Sequence, residues 1–199
     1  MAEREGFVYR VNGPVIEANR ITGILMGDIV EVGEERLIGE AISLEEDRVT
    51  VQVYEDTSGI KPNTKVYGTG LPLAAELGPG LLTNTFDGIQ RPLKLIQDKV
   101  GNFISRGVRV PALDREKKWH FKPKVKLNEK VVPNSVLGVV QETQLIEHRI
   151  IVPPDIEGEI TYIIEEGEYT VEQIIAKVRT KTGERELKMY HRWPVRQKR

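Results

Sequence analysis

The chain has 199 residues, a length that suits one or two domains with substantial cores. Its 29 Lys and Arg against 30 Asp and Glu leave a formal net charge of −1, so the whole chain has no electrostatic reason to seek nucleic acid or an anionic membrane. The absence of Cys excludes disulfides, thiolate metal sites and a Cys nucleophile, and no run approaches the roughly 18 apolar residues of a spanning helix. In chain order, Glu3, Arg4 and Glu5 open a segment with no apolar stretch of the signal-peptide kind, which points to a soluble cytoplasmic protein. Residues 7–11 read as a strand stopped by the turn Asn12-Gly13-Pro14, after which Val15-Ile16 resumes. Residues 29–32 form a second candidate between Gly27-Asp28 and Gly33-Glu34. Residues 37–42 and the alternating run Val49-Thr50-Val51-Gln52-Val53-Tyr54 flank Glu45-Glu46-Asp47-Arg48, the pattern of a hairpin. Short strands with turn signals about every ten residues predict a small antiparallel β-barrel over residues 1–72.

Residues 73–110 read as a connector. Leu77-Gly78-Pro79-Gly80 is a breaker, and a short helix begins at Pro92, with Leu93, Ile96 and Val100 on one face and Gly101 as terminator. From residue 111 to 190 the chain is β-rich again and predicts a second, barrel-like domain. Its candidate strands are 136–140, 149–152, 160–164, 174–179 and 186–190, with a turn at Thr182-Gly183. Thr170 and Gln173 have the form of a capping box, and Val171, Ile174, Ile175 and Val178 fit helical spacing. The run is short, β-branched and bounded by Gly167 and Gly183, so a strand is preferred there. Abundant charge with only 3 Met also fits a thermophile composition.

Motifs for chemistry are missing. There is no Gly-x-x-x-x-Gly-Lys-Ser/Thr to cradle phosphates, and no Gly-x-Gly-x-x-Gly. The histidines His120, His148 and His191 have no partner at ligand spacing. Ser43, Ser58, Ser105 and Ser135 sit in no nucleophile elbow. Glu165-Glu166 reads as a solvated turn rather than a catalytic pair. Lys181 lies near the Thr182-Gly183 turn, as a carrier-domain lysine would, but is flanked by Thr180 and Thr182 rather than Met. The expectation is therefore no catalytic, cofactor-binding or metal-ligating residue. One charge feature stands out: Arg115, Lys117, Lys118, Lys122, Lys124, Lys126 and Lys130 surround Trp119, His120 and Phe121, while residues 155–172 are acidic. Basic residues with interleaved aromatics can hold single strands by phosphate attraction and stacking, so a stand-alone β-barrel module contacting nucleic acid through this Lys/Trp/Phe arm is the alternative function. The competing reading is a solvated arm whose aromatics dock into a core.

Several ordered blocks carry a resemblance. Val51-Gln52-Val53-Tyr54-Glu55-Asp56-Thr57-Ser58-Gly59, Thr69-Gly70-Leu71-Pro72-Leu73 and Glu76-Leu77-Gly78-Pro79-Gly80-Leu81-Leu82 come first. Phe86-Asp87-Gly88-Ile89-Gln90-Arg91-Pro92-Leu93 and Ala112-Leu113-Asp114-Arg115-Glu116-Lys117-Lys118-Trp119 follow. Ile151-Val152-Pro153-Pro154-Asp155, Gly167-Glu168-Tyr169-Thr170-Val171 and Leu187-Lys188-Met189-Tyr190-His191-Arg192-Trp193-Pro194-Val195-Arg196 complete the set. Together they resemble the N-terminal part of the catalytic A subunits of archaeal (A-type) and vacuolar (V-type) rotary ATPases. The resemblance implies that the barrel joins alternating A and B subunits in a ring crown. It also implies that residues 111–190 are the bulge, or non-homologous insert, near the peripheral stalk. Residues 191–199 would begin the linker to a nucleotide-binding domain. In the family, ATP or ADP and Mg bind in that later domain, so the implied partners are B subunits and stalk subunits, with neither nucleic acid nor membrane insertion. The expectation for this polypeptide alone is no ATP hydrolysis, because phosphoryl transfer needs positioning and charge-stabilising groups it lacks.

Overall fold

A computed structural model describes residues 4–101 and 105–198; Glu3 and Arg199 lie outside them. The chain is mainly β and divides into two compact units.

The first unit holds the residues up to Ala74, with Ile96–Arg109 and Pro194–Lys198. Its strands are β1 (Glu5–Asn12), β2 (Val15–Asn19), β3 (Asp28–Val32), β4 (Leu37–Glu45), β5 (Arg48–Val53) and β6 (Lys65–Pro72). They close into an antiparallel barrel in the order β1-β2-β5-β4-β3-β6. Period-2 alternation does the sorting: Val8, Ile16, Ala18, Val30, Val32, Leu37, Val49, Val51 and Val53 point inward and are buried. Register matches them across strands, with Ile16 opposite Val51 and Ala18 opposite Val49. β6 closes the barrel, Tyr67 pairing with Glu5 on one side and Glu31 on the other. No strand is expected at β6 from the sequence, because Gly68 and Gly70 interrupt its pattern. Gly68 is there for closeness, since a Cβ at that position would lie 1.8 Å from Ile24 Cδ1.

The predicted helix is α1 (Leu93–Val100), entered from Pro92 and burying Ile96. Gly101, at φ 81°, ends it by donating to the Gln97 carbonyl at 2.8 Å.

The second unit comprises Ala75–Leu95 and Val110–Trp193. Residues 73–110, expected as one connector, are thus divided between the units, and Pro194–Lys198 of the expected linker groups with the barrel. The second unit adds β7 (Ala74–Leu77), β8 (Lys118–Pro123), β9 (Lys130–Val131), β10 (Val136–Gln141), β11 (Glu147–Ile151), β12 (Gly158–Ile163), β13 (Gly167–Thr170), β14 (Ile174–Thr180), β15 (Gly183–Lys188) and β16 (His191–Pro194). Two four-stranded sheets, β11-β10-β8-β13 and β15-β14-β12-β9, enclose Phe121, Leu137, Ile150, Ile160, Ile175, Val178 and Leu187, while β7 pairs with β16. Gly138 leaves room for the Phe121 ring, whose Cε2 would lie 2.4 Å from an added Cβ. The sheets stay open. Glu184, Arg185 and Glu186 on β15 discourage further strand pairing at that edge.

The capping-box pair forms without a helix. Thr170 N–H donates to Gln173 Oε1 at 2.8 Å and Gln173 N–H to the Thr170 carbonyl at 3.2 Å. Strand β14 then starts at Ile174, because Ile175, Ala176 and Val178 bury on one sheet between β12 and β15.

Candidate functional site

The basic arm is a strand. β8 pairs with β13 so that Lys118 faces Thr170, Trp119 faces Tyr169, His120 faces Glu168 and Phe121 faces Gly167. Trp119 and Phe121 point into the core and are buried, so neither ring can stack on a base. The outward residues meet the acidic stretch. His120 Nδ1 lies 3.1 Å from Glu168, its Nε2 lies 3.0 Å from Glu166, and Lys122 Nζ is 3.8 Å from Glu166. Hydrogen bonding to Glu166 and then to Glu168 raises the His120 pKa, and the same imidazole lowers that of Glu166. Lys117 Nζ sits 3.9 Å over the Trp119 ring. The docked-aromatics reading holds, and the nucleic-acid alternative loses its stacking platform.

Arg115 belongs to a polar hub in the second unit. Its Nη2 donates to both oxygens of the nearly buried Glu76 at 2.7 Å, and its Nε lies 3.3 Å from Glu172. Arg192 Nη2 reaches Glu76 at 3.3 Å. Glu172 also accepts from Lys188 at 2.6 Å and from the Tyr190 hydroxyl at 2.9 Å; the Lys188 bond is the main reason its carboxyl is held low. Burial, then the Glu172 hydrogen bond, pushes the Tyr190 phenol up. Beneath this hub, Gln90, at φ 62°, donates from Nε2 to the Glu76 carbonyl at 2.8 Å and accepts from Glu76 N–H at 2.7 Å. Asp87 shapes the loop that presents Gln90, accepting from Ile89 N–H, Arg91 N–H and Arg91 Nε. Burial raises the Asp87 pKa, but the Arg91 main-chain and side-chain bonds outweigh it, and the net shift is downward.

A second buried carboxylate, Glu142, ties down the Gly78-Pro79-Gly80 breaker. Its Oε1 accepts from Gly80 N–H at 2.8 Å and Leu82 N–H at 3.1 Å, while His148 Nδ1 lies 2.8 Å from Oε2. A cleft of about 440 Å³ has Ile151, Ile156 and Leu187 in its lining, with Arg185, Lys188 and Arg192 among its cations. Those cations are already engaged, by Asp155, Glu172 and Glu76 respectively. Among the described residues no group of three His, Cys, Asp or Glu could hold a metal.

In the barrel unit, Glu40 on β4 accepts Arg196 Nε at 2.6 Å, Arg196 Nη2 at 2.7 Å and the Tyr54 hydroxyl at 2.5 Å. The Arg196 bond is the chief cause holding the Glu40 carboxyl low. Burial, reinforced by Glu40, pushes the Tyr54 phenol up to about 12. Residues 105–109 are also held on this unit, by Arg106–Glu35 and Arg109–Glu31 pairs at 2.8 Å and a Gly107 N–H bond to Glu55. No sequence motif singles out Glu40, Glu76, Gln90 or Glu142. A usable cue was a carboxylate inside an apolar run, as at Glu40 and Glu76; its partner was not visible.

Both units find a counterpart among known proteins. Residues 8–70 match the domain described as ATP synthase alpha/beta family, beta-barrel domain, and residues 110–196 match the ATP synthase alpha/beta subunit barrel-sandwich domain. The chain belongs to the ATP synthase alpha/beta family. Within it, the similarity runs to the A subunits of A-type ATP synthases. The chain is 58% identical over 196 residues to that of Pyrococcus abyssi, 58% over 195 to that of Thermococcus kodakarensis and 57% over 195 to that of Thermococcus onnurineus. Each alignment covers 98% of this chain, but only 19%, 33% and 33% of those relatives, so the chain spans a third or less of their length. No helix among the described residues is long and apolar enough to cross a membrane.

Proposed function

We propose that this chain serves assembly within the A subunit of an A-type ATP synthase, on the cytoplasmic side and peripheral to the membrane, and performs no phosphoryl transfer itself. The observation that carries this is the 57–58% identity over 98% of the chain, spread across both units in the order of the family's two domains. The barrel is the part proposed to join B subunits. Its exposed Leu25, Met26 and Leu71, at 70%, 64% and 57% exposure, suit a surface that another chain covers. The second unit is proposed to face the peripheral stalk. ATP or ADP and Mg belong to the larger protein, because this sequence has no glycine-rich loop ending in Lys-Ser/Thr.

The test is co-expression with the B subunit of an archaeal A-type synthase, followed by size-exclusion chromatography and an ATPase assay. Joint elution with no turnover above background is expected. Separate elution overturns the assembly role. Sustained turnover by the purified chain overturns the non-catalytic one.

A further inference from the structure

Glu40 is buried where a carboxylate would ordinarily be wet. Along β4, Leu37, Gly39 and Ala41 point inward in alternation with Ile38 and Glu40, so Glu40 stands on the outer face of the barrel wall. Its neighbours there are Ile29 of β3 and Gln52 of β5. Its side chain is nevertheless only 4% exposed. A desolvated carboxylate is costly unless charged, hydrogen-bonded partners compensate it. Its hydrogen-bonding partners are the Tyr54 hydroxyl and the guanidinium of Arg196, a residue 156 positions away. Arg196 is presented by a tight turn in which Gln197 N–H donates to the Pro194 carbonyl at 3.0 Å. The turn is also bonded to the residue that follows β6, Val195 N–H donating to the Leu73 carbonyl at 2.9 Å. The Arg196 side chain itself is 72% exposed, so its bonds rather than its burial hold it against the wall.

We propose that Glu40, Tyr54 and Arg196 form a carboxylate latch that holds residues 194–198 on the barrel wall and so fixes the direction in which the polypeptide runs past it. Glu40 is a positioning residue in this arrangement. The bidentate fork supplies orientation as well as attraction, because a guanidinium bonded through Nε and Nη2 cannot swivel as an ammonium can. The latch lies wholly within the barrel unit and stands whether or not the assembly role holds.

Amide hydrogen exchange on the full chain tests it. Val195 and Gln197 report residues 194–198, and Val51 and Val66 report the barrel core. Arg196→Ala is the deciding variant, since its exposed side chain can be removed without opening the core. Exchange at Val195 and Gln197 is expected to speed up by about tenfold or more, with Val51 and Val66 unchanged. Glu40→Gln should act in the same direction, the double variant should add nothing to Arg196→Ala, and Arg196→Lys should fall between wild type and Arg196→Ala. Unchanged exchange at Val195 and Gln197 in Arg196→Ala overturns the latch. Equal acceleration at all four amides also overturns it, by showing a general stabiliser instead.

Discussion

The two units reach the same end, a buried apolar core between β-strands, by opposite means. The barrel closes on itself: each of its six strands has two neighbours, and no backbone edge is left. The second unit keeps two open four-stranded sheets, so its connections are fastened by side chains that act over long separations. Arg115 meets Glu76 across 39 positions, Glu142 meets Gly80 across 62, and Arg192 meets Glu76 across 116. The strand closure of the barrel resists salt and pH; fastening through carboxylates does not. In the barrel unit such fastening acts mainly on the flanking residues 105–109 and 194–198 and in pairs on the outer face.

Four measurements probe that contrast. Phe121→Ala, at the centre of the second core, should cost about 3–5 kcal/mol and unfold that unit ahead of the barrel. Denaturant unfolding followed by separate probes in each unit would show it, and a single shared transition would contradict the prediction. Glu142→Ala removes the buried carboxylate that accepts from the part-buried Gly80 and Leu82 amides, so a loss of about 1–3 kcal/mol confined to the second unit is expected. Raising salt should lower the stability of the second unit relative to the barrel, by about 1 kcal/mol or less, since its hub is only partly buried. Equal shifts in both units would remove the distinction.

The smallest effect concerns His120. Its folded pKa is raised above the ordinary value of 6.5. Its contribution is therefore complete below the unfolded value and is lost as pH rises through the raised folded one. An NMR titration of the ring should show the upward displacement, and Glu166→Gln should shrink it. A ring titrating at its ordinary value would mean that neither carboxylate engages it in solution.

The barrel was largely legible because its strands advertise themselves locally. Val49, Val51 and Val53 alternate with polar residues, and Asn12-Gly13-Pro14 marks a turn with no knowledge of the rest. β8 carried the same signal: Lys118, His120 and Lys122 alternate with Trp119 and Phe121. Read as a charge run, it looked like an arm; read by period, it is a strand with a wet face and a dry one. Its His120 is matched by carboxylates 46 and 48 positions later, which no local pattern announces. The same limit hid the site residues. A glutamate within an apolar run declares that it needs a partner without saying which arginine will supply it.

Gln90 partners the main chain of Glu76 rather than its carboxylate. A primary amide has the donor and acceptor of a peptide group but no chain running through it. Glu76 gives both its N–H and its C=O to that amide, so the main chain of β7 is capped at this position by a side chain. Capping of this kind ignores the identity of the side chain at position 76, which leaves that carboxylate free to gather arginines. It also denies a passing strand the two groups it would dock against. One residue in a left-handed turn thus satisfies, at a single position of β7, the pair of groups that a neighbouring strand satisfies in the barrel.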